Sequence, residues 1–204
     1  RLRWAQRAAG IVSPFADLLP VPLRNMTRLA KKRNVKNKVV APYDVKSVGE
    51  QKYRVALLVG CVQDNLIPAI NQATIRLLTR HGCDVVVLPE VGCCGSINHH
   101  LGQEELALAT VKANVETWTS ADQEKPFDAV ISNISGCGTM LKDYGFLLRS
   151  DTKYAEKAAR ISSLACDVTE FVMRIGLEKI VSPLERRVAY QSPCSMQHGQ
   201  GITN

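Results

Sequence analysis

The residues in this sequence with the most chemical potential are its cysteines. Seven occur, and five sit in turn-forming company. Cys61 follows Gly60, Cys93 and Cys94 lie between Gly92 and Gly95, Cys137 lies between Gly136 and Gly138, and Cys194 follows Pro193. Between Cys61 and Cys93 there are 31 residues, and between Cys94 and Cys137 there are 42. Thiolates are nucleophiles and soft metal ligands. Glycine lets backbone approach a bulky inorganic group and offers it N–H donors. The adjacent pair Cys93-Cys94 lacks the C-x₂₋₄-C spacing of a zinc site. A disulfide between neighbours would strain the peptide that joins them. All-thiolate coordination from loops suits an iron–sulfur cluster. No acid–base or nucleophile set accompanies the thiols, so substrate chemistry is not expected here.

Such a site needs elements that gather distant thiols. Residues 54–60 (RVALLVG), 84–88 (DVVVL), 127–133 (FDAVISN) and 187–191 (RVAYQ) are short, apolar and β-branched, as buried parallel strands are. Residues 66–80 and 103–118 carry apolar stripes at helical period, and Gly82 is placed to cap the first of them. Helices are expected also over 139–148 and 154–174. Strands separated by helices predict an α/β fold, a Rossmann-like parallel sheet with flanking helices. In such a sheet all strand C-termini share one edge, where open α/β folds build their sites. Cys61, Cys93, Cys94, Cys137 and Cys194 each follow a predicted strand. Helix N-termini there favour thiolate over thiol. Cys83, ahead of the second strand, and Cys166, inside a predicted helix, read as small buried hydrophobes.

The triplet Arg54-Val55-Ala56 precedes Cys61 at the spacing with which Arg187-Val188-Ala189 precedes Cys194. A second α/β unit is therefore expected to open near Arg187. The chain begins at Arg1 rather than Met, and reads as an internal piece of a longer two-half protein. Its divisions are a connecting arm over 1–52, a first α/β domain over 53–186 and the start of a second half over 187–204.

Net charge is +7 but uneven. Residues 1–54 hold 13 Lys and Arg against three acids, and the remainder holds 13 against 16. The basic arm, broken by Pro14, Pro20, Pro22 and Pro42, predicts short helices over 1–10 and 23–33. It reads as a solvated linker on an acidic neighbour or as a dock for an anionic membrane, since Leu2, Trp4, Phe15, Leu18 and Leu19 interleave with the cations. No nucleic-acid reader motif accompanies the charge. No apolar run reaches the ~18 residues of a membrane span. The odd number of cysteines, without a secretory signal, fits a cytosolic, thiol-reducing setting.

Gly60-Cys61, Val91-Gly92-Cys93-Cys94-Gly95, His99-His100-Leu101, Ser135-Gly136-Cys137-Gly138, Lys142-Asp143-Tyr144-Gly145 and Ser192-Pro193-Cys194-Ser195-Met196-Gln197-His198 together resemble the cysteine-rich CCG domain family. That domain occurs twice in a subunit of heterodisulfide reductases and in related iron–sulfur subunits. Among these the chain looks like the iron–sulfur subunits of glycolate oxidases, and lactate-using relatives share the pattern. The resemblance implies a cluster, 4Fe–4S or a noncubane variant, held by Cys61, Cys93, Cys94 and Cys137, with Cys194 serving the second half. It implies FAD on a partner subunit only, electron transfer towards a membrane quinone, and a cytoplasmic or peripheral inner-face location. The family's pattern ends in C-x-x-C, whereas this sequence has Met140 at the last position. Four thiolates suffice for a simple cubane cluster. Two other readings share the pattern: disulfide reduction at the cluster, and a cluster-free module that assembles flavoprotein subunits. His99, His100 and His198 read as solvated surface, with hydrogen bonding to cluster sulfur as the functional alternative. Gln63 and Gln197 are polar loop residues without an evident role.

Overall fold

The structure is a computed structural model that describes residues 2–30, 43–177 and 185–203. Its centre is a five-stranded sheet in the order β1-β3-β2-β4-β5. The strands are β1 (Tyr43–Val45), β2 (Tyr53–Leu58), β3 (Cys83–Val87), β4 (Ala129–Ser132) and β5 (Ala165–Asp167). β2 pairs in parallel with β3 on one side and β4 on the other, β4 pairs in parallel with β5, and β1 closes the edge antiparallel to β3. The fold is mixed α/β with helices on both faces, as the sequence predicts.

The strands read as continuous apolar runs because both of their faces are buried. Alternate residues go to opposite cores. Ala56, Leu58, Val86 and Val130 join one core with Val111, Val115, Trp118 and Ile161. Val55, Leu57, Val85, Ala129 and Ile131 join the other with Ile75, Leu78 and Phe171. The first core is covered by α6 (Glu104–Glu124), α7 (Ser135–Lys142), α8 (Tyr144–Leu147) and α9 (Ala155–Leu164). The second is covered by α4 (Ala69–Arg80) and α10 (Val168–Ile175).

Four sequence expectations are corrected. The helix over 66–80 is interrupted: α3 (Gln63–Leu66) stops at Ile67, which leaves helical geometry, and α4 starts after Pro68. Proline disfavours the helical conformation in the residue before it. The helix over 154–174 is cut by β5, so Cys166 sits in a strand and not in a helix. Asp167 supplies the reason. Its carboxylate accepts the Thr169 amide at 2.9 Å, while Glu170 accepts the Asp167 amide at 2.9 Å, a capping box that starts α10 afresh. The helix over 139–148 is two pieces, α7 and α8, and α7 begins four residues earlier than expected. The strand over 187–191 does not form, and Val188 and Tyr190 are exposed. An apolar run becomes a strand only where a sheet edge takes up its backbone groups, and among the described residues no strand pairs with it.

The expected cap at Gly82 is present, with φ +78° after α4. At the N-terminus α1 (Leu2–Val12), a 3₁₀ turn (Ser13–Leu18) and α2 (Val21–Ala30) pack on one another. Residues 31–33, expected to extend the second helix, lie outside the described residues.

Candidate metal centre

The chain leaves the C-terminal ends of β2 and β3 through glycine-bearing turns, and after β4 it enters α7, where Gly136 stands in the first turn. Gly60 and Cys61 follow β2 and precede α3. Cys93 and Cys94 follow β3 and precede α5 (Ser96–His100). Cys137 follows β4 as the third residue of α7. Because β2 lies between its two parallel partners, strand order alone brings these three exits side by side.

Cys61, Cys93, Cys94 and Cys137 line one cavity of about 340 Å³, walled by Leu66, Ile67, Ile70, Ile97 and Ile134. The sulfurs form two pairs. Cys61 Sγ lies 3.5 Å from Cys93 Sγ, and Cys94 Sγ lies 3.2 Å from Cys137 Sγ. The Gly95 amide donates to Cys93 Sγ at 3.5 Å. Gly95 has φ +91°, and a Cβ there would lie 3.4 Å from both Ala107 O and Met140 Cε. A Cβ on Gly60 would run into the Ile134 side chain. The backbone conformation thus favours glycine at Gly95, while at Gly60 a side chain would displace Ile134.

Charge is shared within the pairs. Hydrogen bonds from Cys61 and Cys94 hold Cys93 well below the usual thiol range. Donation to Cys93, reinforced by burial, pushes Cys61 up. In the same way donation from Cys94 lowers Cys137, and the donor role together with burial raises Cys94. Cys83 and Cys166 lie outside the cavity lining, and burial pushes each up to about 11. Cys83 is buried, as expected from the sequence, whereas Cys166 is only half-buried.

Among the described residues no three His, Cys, Asp or Glu side chains converge as a single metal ion would require. Four sulfurs spread as two pairs around an apolar cavity instead suit a group with several metal atoms, each thiolate binding its own iron. The donor set therefore fits an iron–sulfur cluster. Met140 is buried in the core behind Gly95, away from the cavity lining.

Cys194 is not brought to this cavity. It is exposed, and precedes a π-helical turn (Ser195–Gly199) that packs on α7. Thr139 Oγ1 donates to Ser195 O at 3.0 Å, and Gln200 Nε2 donates to Ser135 O at 2.9 Å. His99, His100 and His198 are exposed and do not line the cavity. Gln63 does line it, and its amide donates to Asn71 Oδ1 at 2.9 Å and to Asn133 Oδ1 at 2.8 Å.

Two residues behind the cysteines escaped the sequence reading. Asn114 of α6 and Tyr144 of α8 hydrogen-bond to the Gly92–Cys94 backbone. Tyr144 lies in one of the stretches that carry the family resemblance, but nothing in the sequence gives it a role. Asn114 had a signal: it interrupts the buried stripe of Ala107, Val111, Val115 and Trp118 with an amide.

Residues 55–142 match the family model of the cysteine-rich domain CCG. That stretch is a CCG cysteine-rich domain. It runs from β2 to the end of α7 and contains all four cavity cysteines. The chain is 40% identical over 151 residues to the glycolate oxidase iron-sulfur subunit of Escherichia coli (strain K12), covering 74% of this chain and 37% of the relative. It is 31% identical over 203 residues to the probable glycolate oxidase iron-sulfur subunit of Bacillus subtilis (strain 168), covering 97% of this chain and 43% of the relative. Lactate utilization protein A of Bacillus licheniformis is 28% identical over 152 residues, 74% of this chain and 61% of that protein. The chain thus spans less than half the length of the two glycolate oxidase relatives. No solved structure matches it.

Proposed function

We propose that this chain is part of the iron–sulfur electron-transfer subunit of a glycolate-oxidising complex, with Cys61, Cys93, Cys94 and Cys137 as ligands of a 4Fe–4S cluster. The observation that carries the proposal is the convergence of four sulfurs, from three separate strand exits, on one apolar cavity. The names of the relatives supply the complex, and glycolate is favoured over lactate because the identity is 40% against 28%.

When bound, the cluster accepts and passes on single electrons. The chain's own residues hold it and set its surroundings. Leu66, Ile67, Ile70 and Ile97 give the cavity an apolar wall, and the Gly95 N–H stabilises negative charge on Cys93. No acid–base set lines the cavity, so oxidation of the hydroxy acid belongs to a flavin-bearing partner. Met140 in the core leaves four thiolates, which favours the cubane over the noncubane form.

In this proposal the chain divides into an arm over 1–52, a first CCG domain over 53–186 and the opening of a second half over 187–204, where Cys194 would serve its own site. The seam of Ser195–Gln200 against α7 supports contact between the halves.

Electrons leave towards a membrane quinone, and the arm is the surface that would meet the bilayer from the inner face. Trp4, Phe15, Leu18 and Met26 are exposed on α1, the 3₁₀ turn and α2, beside Arg7 and Arg28. Interleaved apolar and basic side chains on short helices suit an anionic membrane surface. Among the described residues no helix is long and apolar enough to cross a membrane. Lys31, Lys32 and Arg33 lie outside the described residues.

The test is anaerobic mixing of the purified complex with glycolate. Bleaching of the cluster absorbance at a rate matching flavin reoxidation is expected. A cluster that stays oxidised while the flavin turns over would remove the electron-transfer role.

A further inference from the structure

Cys93 and Cys94 both line the same cavity, and the backbone that joins them belongs to neither helix nor strand, so side-chain contacts must fix its course. Two side chains are placed to do it. Asn114 Nδ2 donates to Cys93 O at 2.8 Å, and Tyr144 Oη donates to Cys94 O at 2.8 Å. Asn114 Oδ1 accepts the Gly92 amide at 3.1 Å, and Asn114 Nδ2 also reaches Tyr144 Oη at 3.1 Å. Asn114 is 1% exposed and Tyr144 is 0% exposed.

Both residues lie in the core on the side away from the cavity. The two carbonyls therefore turn inward, and the two side chains of the pair are left facing the cavity. An amide on the buried stripe of α6, between Val111 and Val115, adds nothing to packing that an apolar residue would not supply better. Burying it is costly unless its hydrogen bonds are made. Here the backbone of Gly92 and Cys93, and the hydroxyl of Tyr144, make them. Tyr144 in turn packs on Trp118, with ring centroids 6.4 Å apart, which fixes its hydroxyl against the Cys94 carbonyl.

We propose that Asn114 and Tyr144 are positioning residues for the cluster: a buried clamp that holds the adjacent thiolates Cys93 and Cys94 facing one side, and whose donors help set the cluster's reduction potential. The inference rests on the proposed cluster ligation. Its logic is that of outer-shell groups at metal sites, which orient the ligands and tune the metal, and whose loss typically costs ~10–100-fold in affinity.

The test uses the protein as purified and reconstituted anaerobically with iron and sulfide, in wild-type form and as Tyr144→Phe and Asn114→Leu. Tyr144→Phe removes one oxygen from a ring that otherwise packs as before, so it remains informative even where Asn114→Leu fails to fold. Readouts are iron retained against a chelator, the electron paramagnetic resonance spectrum of the reduced cluster and its midpoint potential. Circular dichroism reports the fold. The expected result for Tyr144→Phe is an unchanged fold, about 10-fold weaker iron retention, an altered spectrum and a potential shifted to more negative values, because a donor dipole has been lost. Iron retention, spectrum and potential all equal to wild type in a folded Tyr144→Phe would overturn the clamp while leaving the cluster reading intact. A wild-type protein that takes up no iron would overturn the cluster reading, and the clamp with it.

Discussion

Cys94 and Cys137 are 43 residues apart in sequence, yet their sulfurs lie 3.2 Å from one another. No local motif places them so. Cys94 arrives from the turn after β3 and Cys137 from the first turn of α7 after β4, with β2 and its own Cys61 between those strands. Parallel pairing puts the three exits on one edge, and the glycines around them leave room for the sulfurs to approach.

Gly95, beside the paired cysteines, has a left-handed backbone. Its φ of +91° is unfavourable for any residue with a Cβ, and that Cβ would lie against Ala107 O and Met140 Cε. Gly95→Ala is expected to cost about 1–2 kcal/mol, read as a lower urea midpoint. Gly92 is the control: a Cβ placed there would meet nothing within 4 Å, and its φ is not positive. Equal midpoints for Gly95→Ala and Gly92→Ala would contradict the assignment.

The edge strand β1 is tied to the sheet through a carboxylate. Asp84 on β3 is buried, accepts the Ser47 amide at 2.9 Å and pairs with Lys46 at 3.2 Å. Burial pushes its pKa up, but the Ser47 amide and Lys46 outweigh this, and the net shift is downward. A depressed folded-state pKa contributes stability above the unfolded value of ~3.9 and loses it as pH falls through the folded one. Stability should therefore decline below about pH 4, with a shallower decline in Asp84→Asn. Urea titrations at pH 6 and pH 3 would show it. An acid limb of the same slope in both proteins would refute this role.

The helix break that the hydrophobic pattern conceals should be worth a measurable amount. Asp167 caps α10 by accepting from both the Thr169 amide and the Thr169 hydroxyl. Asp167→Ala should cost ~1 kcal/mol, as loss of an N-cap typically does, with the denaturant slope unchanged. Stability indistinguishable from wild type would mean that β5 alone defines the break.

These cases show what the sequence makes legible. The β-branched runs at 54–60 and 84–88 and the stripe of α6 announce strands and helix directly, because burial on a fixed period leaves a pattern. The four cavity cysteines were legible too, since each is marked by a strand end and a glycine. Pro68 and the Asp167–Glu170 box were equally visible, but an unbroken apolar stripe obscured them. The strand at 187–191 failed for the opposite reason. Its pattern matches a buried strand, yet pairing is a property of neighbours and cannot be read from the run itself. Asn114 needed the fold most, for its partners are backbone groups of Gly92 and Cys93, about 21 residues away.

The N-terminal helices offer an optical test of membrane contact. The chain has two tryptophans. Trp4 is 73% exposed and Trp118 is 0% exposed, so only Trp4 can respond to a new surface. Vesicles containing anionic lipid should shift its emission to the blue, neutral vesicles should do so less, and added salt should weaken the effect by screening. Reversing charge at Arg7 should reduce the shift. Emission unaltered by anionic vesicles would exclude α1 as the contact.

Iron and acid-labile sulfide per chain, measured on anaerobically reconstituted protein carrying single Cys→Ser substitutions, test the central claim most directly. Substitution at Cys61, Cys93, Cys94 or Cys137 should lower both contents sharply, while Cys83→Ser and Cys166→Ser should retain them. Equal iron and sulfide across all six variants would contradict the account.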